Sequence, residues 1–167
     1  MIKKILIAPN PKLNKISKRV QSLNKETINL INNLTDTLLS QMGPKGVGLA
    51  APQIGVLKQI FVLRFNDKDP VEIVINPEIL KLSKKTNSAV QDDKNRDLEG
   101  CLSLPGVYAF VERPWKIKVR YLDKQFNLIE RDLVGLEAIA YQHELDHLNG
   151  ILFTQRALDQ DQEIIHG

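Results

Sequence analysis

His143 and His147 stand four residues apart in the run Gln142-His143-Glu144-Leu145-Asp146-His147-Leu148-Asn149-Gly150. Residues at i and i+4 lie one above the other on a helix, so the two imidazoles can converge on a single metal ion. Glu144 sits about 100° round the axis from His143, where a carboxylate can take the proton of a metal-activated water without being a ligand. That is the chemistry of a metal-dependent hydrolase. The chain has only three histidines, and two of them fall here, on the stripe that carries Ile139 and Ala140. Burying two imidazoles costs free energy unless they have partners, and one metal satisfies both.

A catalytic centre of this kind takes three protein ligands and keeps one position for water. The metzincin pattern would place a third histidine six residues beyond His147, but Phe153 stands there, which excludes that subclass. Two candidates remain. Glu163, in the polar C-terminal tail, would make an ordinary metallopeptidase. Cys101, the only cysteine, lies upstream in Glu99-Gly100-Cys101-Leu102-Ser103-Leu104-Pro105-Gly106. A thiolate is a strong ligand for zinc or ferrous iron and would complete a Cys/His/His set.

These groups need elements to hold them. Leu136, Ile139, Ala140 and His143 recur at helical spacing, with Gly135 opening the helix and Gly150 closing it. Asn24 caps a second helix over residues 25 to 42, with Ile28, Ile31, Leu34, Leu38 and Met42 as its stripe and Gly43-Pro44 as its stop. The run from Gly46 to Gly55 is rich in small residues and carries one amide, Gln53. It reads either as a Gly-rich turn or as bare backbone on which an extended peptide can pair. Residues 58 to 65, 71 to 76, 115 to 122 and 127 to 134 read as strands, and the polar run from Ser83 to Asp97 as a mobile surface loop. This order predicts an α+β fold, with small antiparallel or mixed sheets packed around a central C-terminal HExxH helix and a helix near the N-terminus.

With 167 residues, 43% of them hydrophobic and 26% charged, the chain is expected to form one domain over 1–167 with a core of its own. The net charge of +3 comes without any stretch of clustered Arg and Lys interleaved with aromatics, so no direct nucleic-acid site is evident. The apolar run after Lys3-Lys4 ends at Pro9, and no span of about 18 apolar residues exists. A single cysteine allows no internal disulfide. The expectation is a cytoplasmic protein with no membrane partner.

Taken together and in order, Gly-Val-Gly-Leu-Ala-Ala-Pro-Gln (46–53), Glu-Gly-Cys-Leu-Ser-Leu-Pro (99–105) and Gln-His-Glu-Leu-Asp-His-Leu-Asn-Gly (142–150) resemble the three signature motifs of the peptide deformylase family. The resemblance extends from about Ile28 to Arg156. It implies that Cys101, His143 and His147 are the metal ligands and Glu144 the catalytic acid/base, with Gln53 and the Leu102 backbone N–H binding the developing oxyanion. It also implies one divalent metal, Fe²⁺ natively with Zn²⁺ or Ni²⁺ possible. The implied substrate is the N-terminal formyl-methionine of a nascent polypeptide, with transient ribosome contact, and the implied product is formate. Substrate contacts fall by resemblance on Val47, Gly48, Leu49, Glu99, Gly100, Leu102 and Ile139, with His143 beside the methionine pocket. Against the family pattern, the tail beyond Gly150 is short, the 83–97 segment is long, and Tyr108 stands where some relatives have an arginine. A relative that binds metal or peptide without catalysis would lack the glutamate, and Glu144 is present.

Asp146 precedes the second histidine and is not needed as a ligand. A buried carboxylate needs a cationic partner. Arg113, just before Pro114 on the segment leaving the cysteine stretch, is the candidate for a bidentate pair that ties the cysteine side of the site to the histidine helix.

Overall fold

The computed structural model describes residues 1–41, 47–92 and 96–167. Asn24 accepts a hydrogen bond from the Thr27 N–H at 2.9 Å and starts α1 (Lys25–Leu39). The buried stripe of α1 is Thr27, Leu30, Ile31, Leu34, Thr37 and Leu38. Ile28, expected on that stripe, is instead 46% exposed, because the threonines at 27 and 37 turn their hydroxyls onto nearby carbonyls and go inside. The helix ends at Leu39 with Ser40 as its cap; the expected stop at Met42, Gly43 and Pro44 lies outside the described residues.

Five antiparallel strands form the larger sheet: β1 (Gly48–Ala50), β2 (Ile60–Leu63), β3 (Glu72–Leu82), β6 (Lys116–Leu122) and β7 (Leu128–Val134), in that spatial order. Every residue of β2 is buried. Alternation explains why: Phe61 and Leu63 face one core with Val74, Ile117 and Tyr141, while Ile60 and Val62 face another with Leu30, Ile31 and Leu34 of α1. The sheet is therefore covered on both faces. On the first face lies α2 (Leu136–Leu148), which buries Ala138 through Gln142, Glu144, and Asp146 through Leu148. A helix buried nearly all the way round is enclosed by protein, and only residues such as Leu136, 56% exposed, reach solvent.

β3 runs past the expected end at Asn76 to Leu82. Asn76 adopts a left-handed backbone, φ 51°, at a register shift, and its side chain accepts from Val20 N–H and donates to Val20 C=O, both at 2.8 Å. Those two bonds replace the ladder contacts that the irregularity removes.

A smaller antiparallel sheet orders β4 (Glu99–Cys101), β5 (Leu104–Ala109) and β8 (Ile164–His166). Beneath it α3 (Phe153–Asp159) packs Phe153 and Ala157 against Ala109 and Val111. Within 83–97, a 3₁₀ turn at Asn87–Ala89 buries Asn87, whose amide donates to Val111 C=O and accepts from Arg113 N–H, both at 2.9 Å. That part of the expected surface loop is anchored, since a buried amide with both ends bonded fixes the backbone around it.

Candidate metal site

Cys101 closes β4 on the small sheet, and His143 and His147 project from α2 beside the large one. Their ligand atoms all lie within 4.8 Å of one another. Cys101 Sγ is 3.2 Å from His147 Nε2. Among the described residues this is the one group of three or more Cys, His, Asp or Glu side chains close enough to share an ion. Glu163 is exposed next to β8 and stands outside it. Phe153 stacks on the His143 ring at 5.9 Å between centroids, so the position that ends the metzincin pattern packs against a histidine of the site.

A charged ladder orients the helix. Glu99 Oε2 lies 2.7 Å from His143 Nδ1, and the same carboxylate takes Arg113 in a fork, Nε to Oε1 at 2.5 Å and Nη2 to Oε2 at 3.0 Å. Arg113 reaches Asp146 Oδ2 through Nη1 at 2.9 Å, and Asp146, 5% exposed, is gripped again by Arg156 of α3 at 2.7 and 3.2 Å. The expected Arg113–Asp146 contact is present, but through one nitrogen only. The bidentate partner of Arg113 is Glu99, because strand alternation puts residues 99 and 101 on one face. The Glu99 carboxylate, expected to meet substrate, is thus engaged by Arg113 and His143 on the wall of the cavity.

Burial alone would raise the Glu99 pKa, yet the Arg113 charge and the bonds from His143 and Arg113 bring it down to about 2. For His143, burial opposes the charge, but hydrogen bonds to Cys101 and Glu99 hold the pKa well above the ordinary histidine range. His147 goes the other way, pushed well below it by burial and then by the His143 charge. Burial lifts Glu144 to about 7, and its Oε2 has no hydrogen-bond partner among the described residues. An unpaired carboxylate with a near-neutral pKa is suited to accept and return a proton.

These groups open onto a cavity of about 750 Å³ lined by Ile5, Ile7, Val47, Gly48, Gln53, Gly100, Leu102, Tyr108 and Ile139, together with Cys101, His143 and Glu144. Gly48 is required by close approach: a methyl built on it would come within 2.8 Å of Glu144 Cγ and overlap the carboxylate. Leu49 is not on the wall. Its side chain is fully buried in the core toward α1, leaving only its main chain on the outer edge of β1. Gly100 pairs with Tyr108 and lies under its ring, 3.0 Å from where a methyl would sit. Gln53 is 1% exposed, with Nε2 3.4 Å from Cys101 Sγ.

The donor set fits a divalent ion. One sulfur and two imidazole nitrogens suit zinc or ferrous iron, Glu99 occupies His143 Nδ1 and leaves Nε2 for a metal, and His147 Nε2 already faces the sulfur.

A helix bearing two histidines and a glutamate, set against a strand thiol beside a cavity, is the layout of a metal-dependent hydrolase. In fold, the chain is similar to a solved peptide deformylase from Legionella pneumophila, with a TM-score of 0.81 at 39% identity over 93% of this chain and 86% of that one. In sequence it is 41% identical over 160 residues to the peptide deformylase of Aquifex aeolicus (93% of this chain, 88% of the relative). It is 39% identical over 155 residues to that of Phenylobacterium zucineum (91% and 85%). The polypeptide deformylase family matches residues 2–163, and the chain belongs to that family. It is a hydrolase that removes the N-terminal formyl group from newly made polypeptides, and the family implies a divalent metal for that reaction. No helix among the described residues is long and apolar enough to cross a membrane.

Proposed function

We propose that Cys101, His143 and His147 hold one divalent ion, Fe²⁺ natively with Zn²⁺ or Ni²⁺ as substitutes, and that Glu144, Gln53 and the Leu102 N–H carry the deformylation. The observation that supports this reading is the convergence of the three ligand atoms within 4.8 Å beside the buried, unpaired Glu144 carboxylate. The ion, when bound, supplies a Lewis acid that brings the pKa of a water toward neutrality. Glu144 accepts that water's proton as its oxygen bonds to the formyl carbon, and returns the proton to the amine that leaves when the formyl C–N bond breaks. Gln53 Nε2 and the Leu102 N–H donate to the formyl oxygen as negative charge develops on it. The Gln53 Nε2 contact with Cys101 Sγ is long, 3.4 Å, and gives way to the formyl oxygen when substrate enters.

Val47, Leu102 and Ile139, with the His143 ring, form the apolar wall for the methionine side chain. The bare edges of β1 at Gly48–Leu49 and of β4 at Gly100 hold the peptide main chain between the two sheets. The chain acts as one domain over 1–167, in the cytoplasm, on formyl-methionyl chains in transient contact with the ribosome that makes them.

Formate release from formyl-Met-Ala by anaerobically purified, Fe²⁺-loaded protein tests the reading. The expected result is rapid formate release with no cleavage of the unformylated peptide. Cleavage of the Met-Ala bond in place of formate release overturns it.

A further inference from the structure

The side-chain amide of Gln53 is held at both ends. Its Oε1 accepts from the Ala50 N–H at 2.8 Å, and its Nε2 donates to Ser103 Oγ at 3.2 Å. A backbone N–H can only donate, so the first bond fixes which end of the amide is oxygen and sends the NH₂ toward the cavity side. An NH₂ group has two hydrogens. If Ser103 takes one, the direction of the other is set.

Ser103 is built for that task. It is fully buried, its N–H points to Cys101 Sγ at 3.4 Å, and its C=O accepts from the Ala8 N–H at 2.9 Å. Two residues before Ala8, the Leu6 N–H donates to Gln53 C=O at 2.7 Å. The N-terminal segment 6–8 therefore hydrogen-bonds to the main chains of both Gln53 and Ser103, while the side chains of those two residues meet each other. A surface serine would have water as an alternative acceptor for its neighbour; this one is buried, and with one amide hydrogen on Ser103 the other lies toward Cys101 Sγ, 3.4 Å from Nε2 on the cavity side.

We infer that Ser103 is a positioning residue for deformylation: its hydroxyl holds one hydrogen of the Gln53 amide and aims the other at the substrate's formyl oxygen. The inference rests on the reading of Gln53 as an oxyanion donor given above. Donors fixed before the reaction act mainly in the transition state, so loosening one lowers kcat rather than raising KM.

The test is a cycle of wild type, Gln53→Ala, Ser103→Ala and the double variant, each loaded with Zn²⁺. Gln53→Ala is expected to lower kcat by about 10²–10³. Ser103→Ala is expected to lower kcat by roughly tenfold or more with little change in KM, and to add no further loss on top of Gln53→Ala. Independently of turnover, the Gln53 side-chain amide protons in the Zn²⁺-loaded protein are expected to exchange with solvent faster in Ser103→Ala. If Ser103→Ala does not fold, Ser103→Cys keeps the volume, weakens the acceptor and is read in the same cycle. Losses that multiply, wild-type kcat in the serine variant, or unchanged amide exchange overturn the positioning role. Wild-type kcat in Gln53→Ala overturns the oxyanion reading as well.

Discussion

Glu99 Oε2 lies 2.7 Å from His143 Nδ1 while both its oxygens hold Arg113, so one carboxylate fixes a metal-site imidazole and a buried guanidinium together. Glu99→Gln keeps the shape but gives up the charge. Loss of a carboxylate that orients a ligating histidine typically weakens metal binding about 10–100-fold, and that is the expected result in competition with a chelator of known affinity. A dissociation constant equal to wild type would show that the Glu99 charge is not needed to hold the ring for metal binding.

Arg113 is shared by Glu99 and Asp146, and Asp146 is shared by Arg113 and Arg156. Breaking a buried pair from one side typically costs about 3–5 kcal/mol. Asp146→Asn should therefore destabilise the protein strongly in chemical denaturation. The Arg156 contact, on a side chain 43% exposed, is expected to matter far less. A double-mutant cycle between Asp146 and Arg113 should show clear coupling; simple additivity would reject the pair as an energetic link between the cysteine strand and the histidine helix.

Glu144→Gln is expected to retain one metal per chain and lose turnover by about 10²–10⁴, the usual contribution of a positioned general base. Metal analysis beside formate release separates the two effects. A variant that keeps wild-type turnover would assign the proton transfer to another group.

Gly48→Ala places a methyl where the Glu144 side chain now sits. The carboxylate must turn aside, so kcat is expected to fall while metal content stays whole. The result that counts against this is an alanine variant with wild-type kcat, which would mean that β1 can retreat from α2.

Tyr121 offers a pH dependence remote from the metal site. Its hydroxyl donates to Glu72 Oε1 at 2.6 Å, and burial, then Glu72, raise its pKa above the usual tyrosine value. The folded state therefore keeps a proton that the unfolded chain releases above about pH 10. The contribution is fully present below pH 10 and is lost as pH rises further. Denaturant titrations at pH 9 and pH 11 should show stability falling over that interval, with a smaller fall in Tyr121→Phe. An equal fall in both proteins would assign the alkaline loss elsewhere.

The sequence disclosed the residues that make the site more fully than the elements that brace it. The histidine spacing, the lone thiol and the alternation of Ile117, Val119 and Tyr121 each carry a period or a motif, and each stands in the structure where that signal points. β5 is not anticipated: it carries Pro105 and Gly106, residues that weaken a strand signal. The three-residue β8 and the seven-residue α3 are too short to display periodicity. Glu99 is expected to meet substrate and Arg156 has no expected role, since a charge on its own does not reveal what the fold will bring to it: Glu99 holds Arg113 and His143, and Arg156 holds Asp146. The one available signal was the two-residue spacing of Glu99 from Cys101, which puts both on one face of a strand.

Glu99, Gly100 and Cys101 are consecutive, and each has a different neighbour: His143 and Arg113 for the first, the Tyr108 ring for the second, His147 for the third. The β4–β5 register already shifts between Gly100 and Cys101, so an inserted residue that is not absorbed by a further bulge would turn the thiol away from the carboxylate's face with no side chain altered. The length of this stretch therefore matters to the site as much as the identity of its residues.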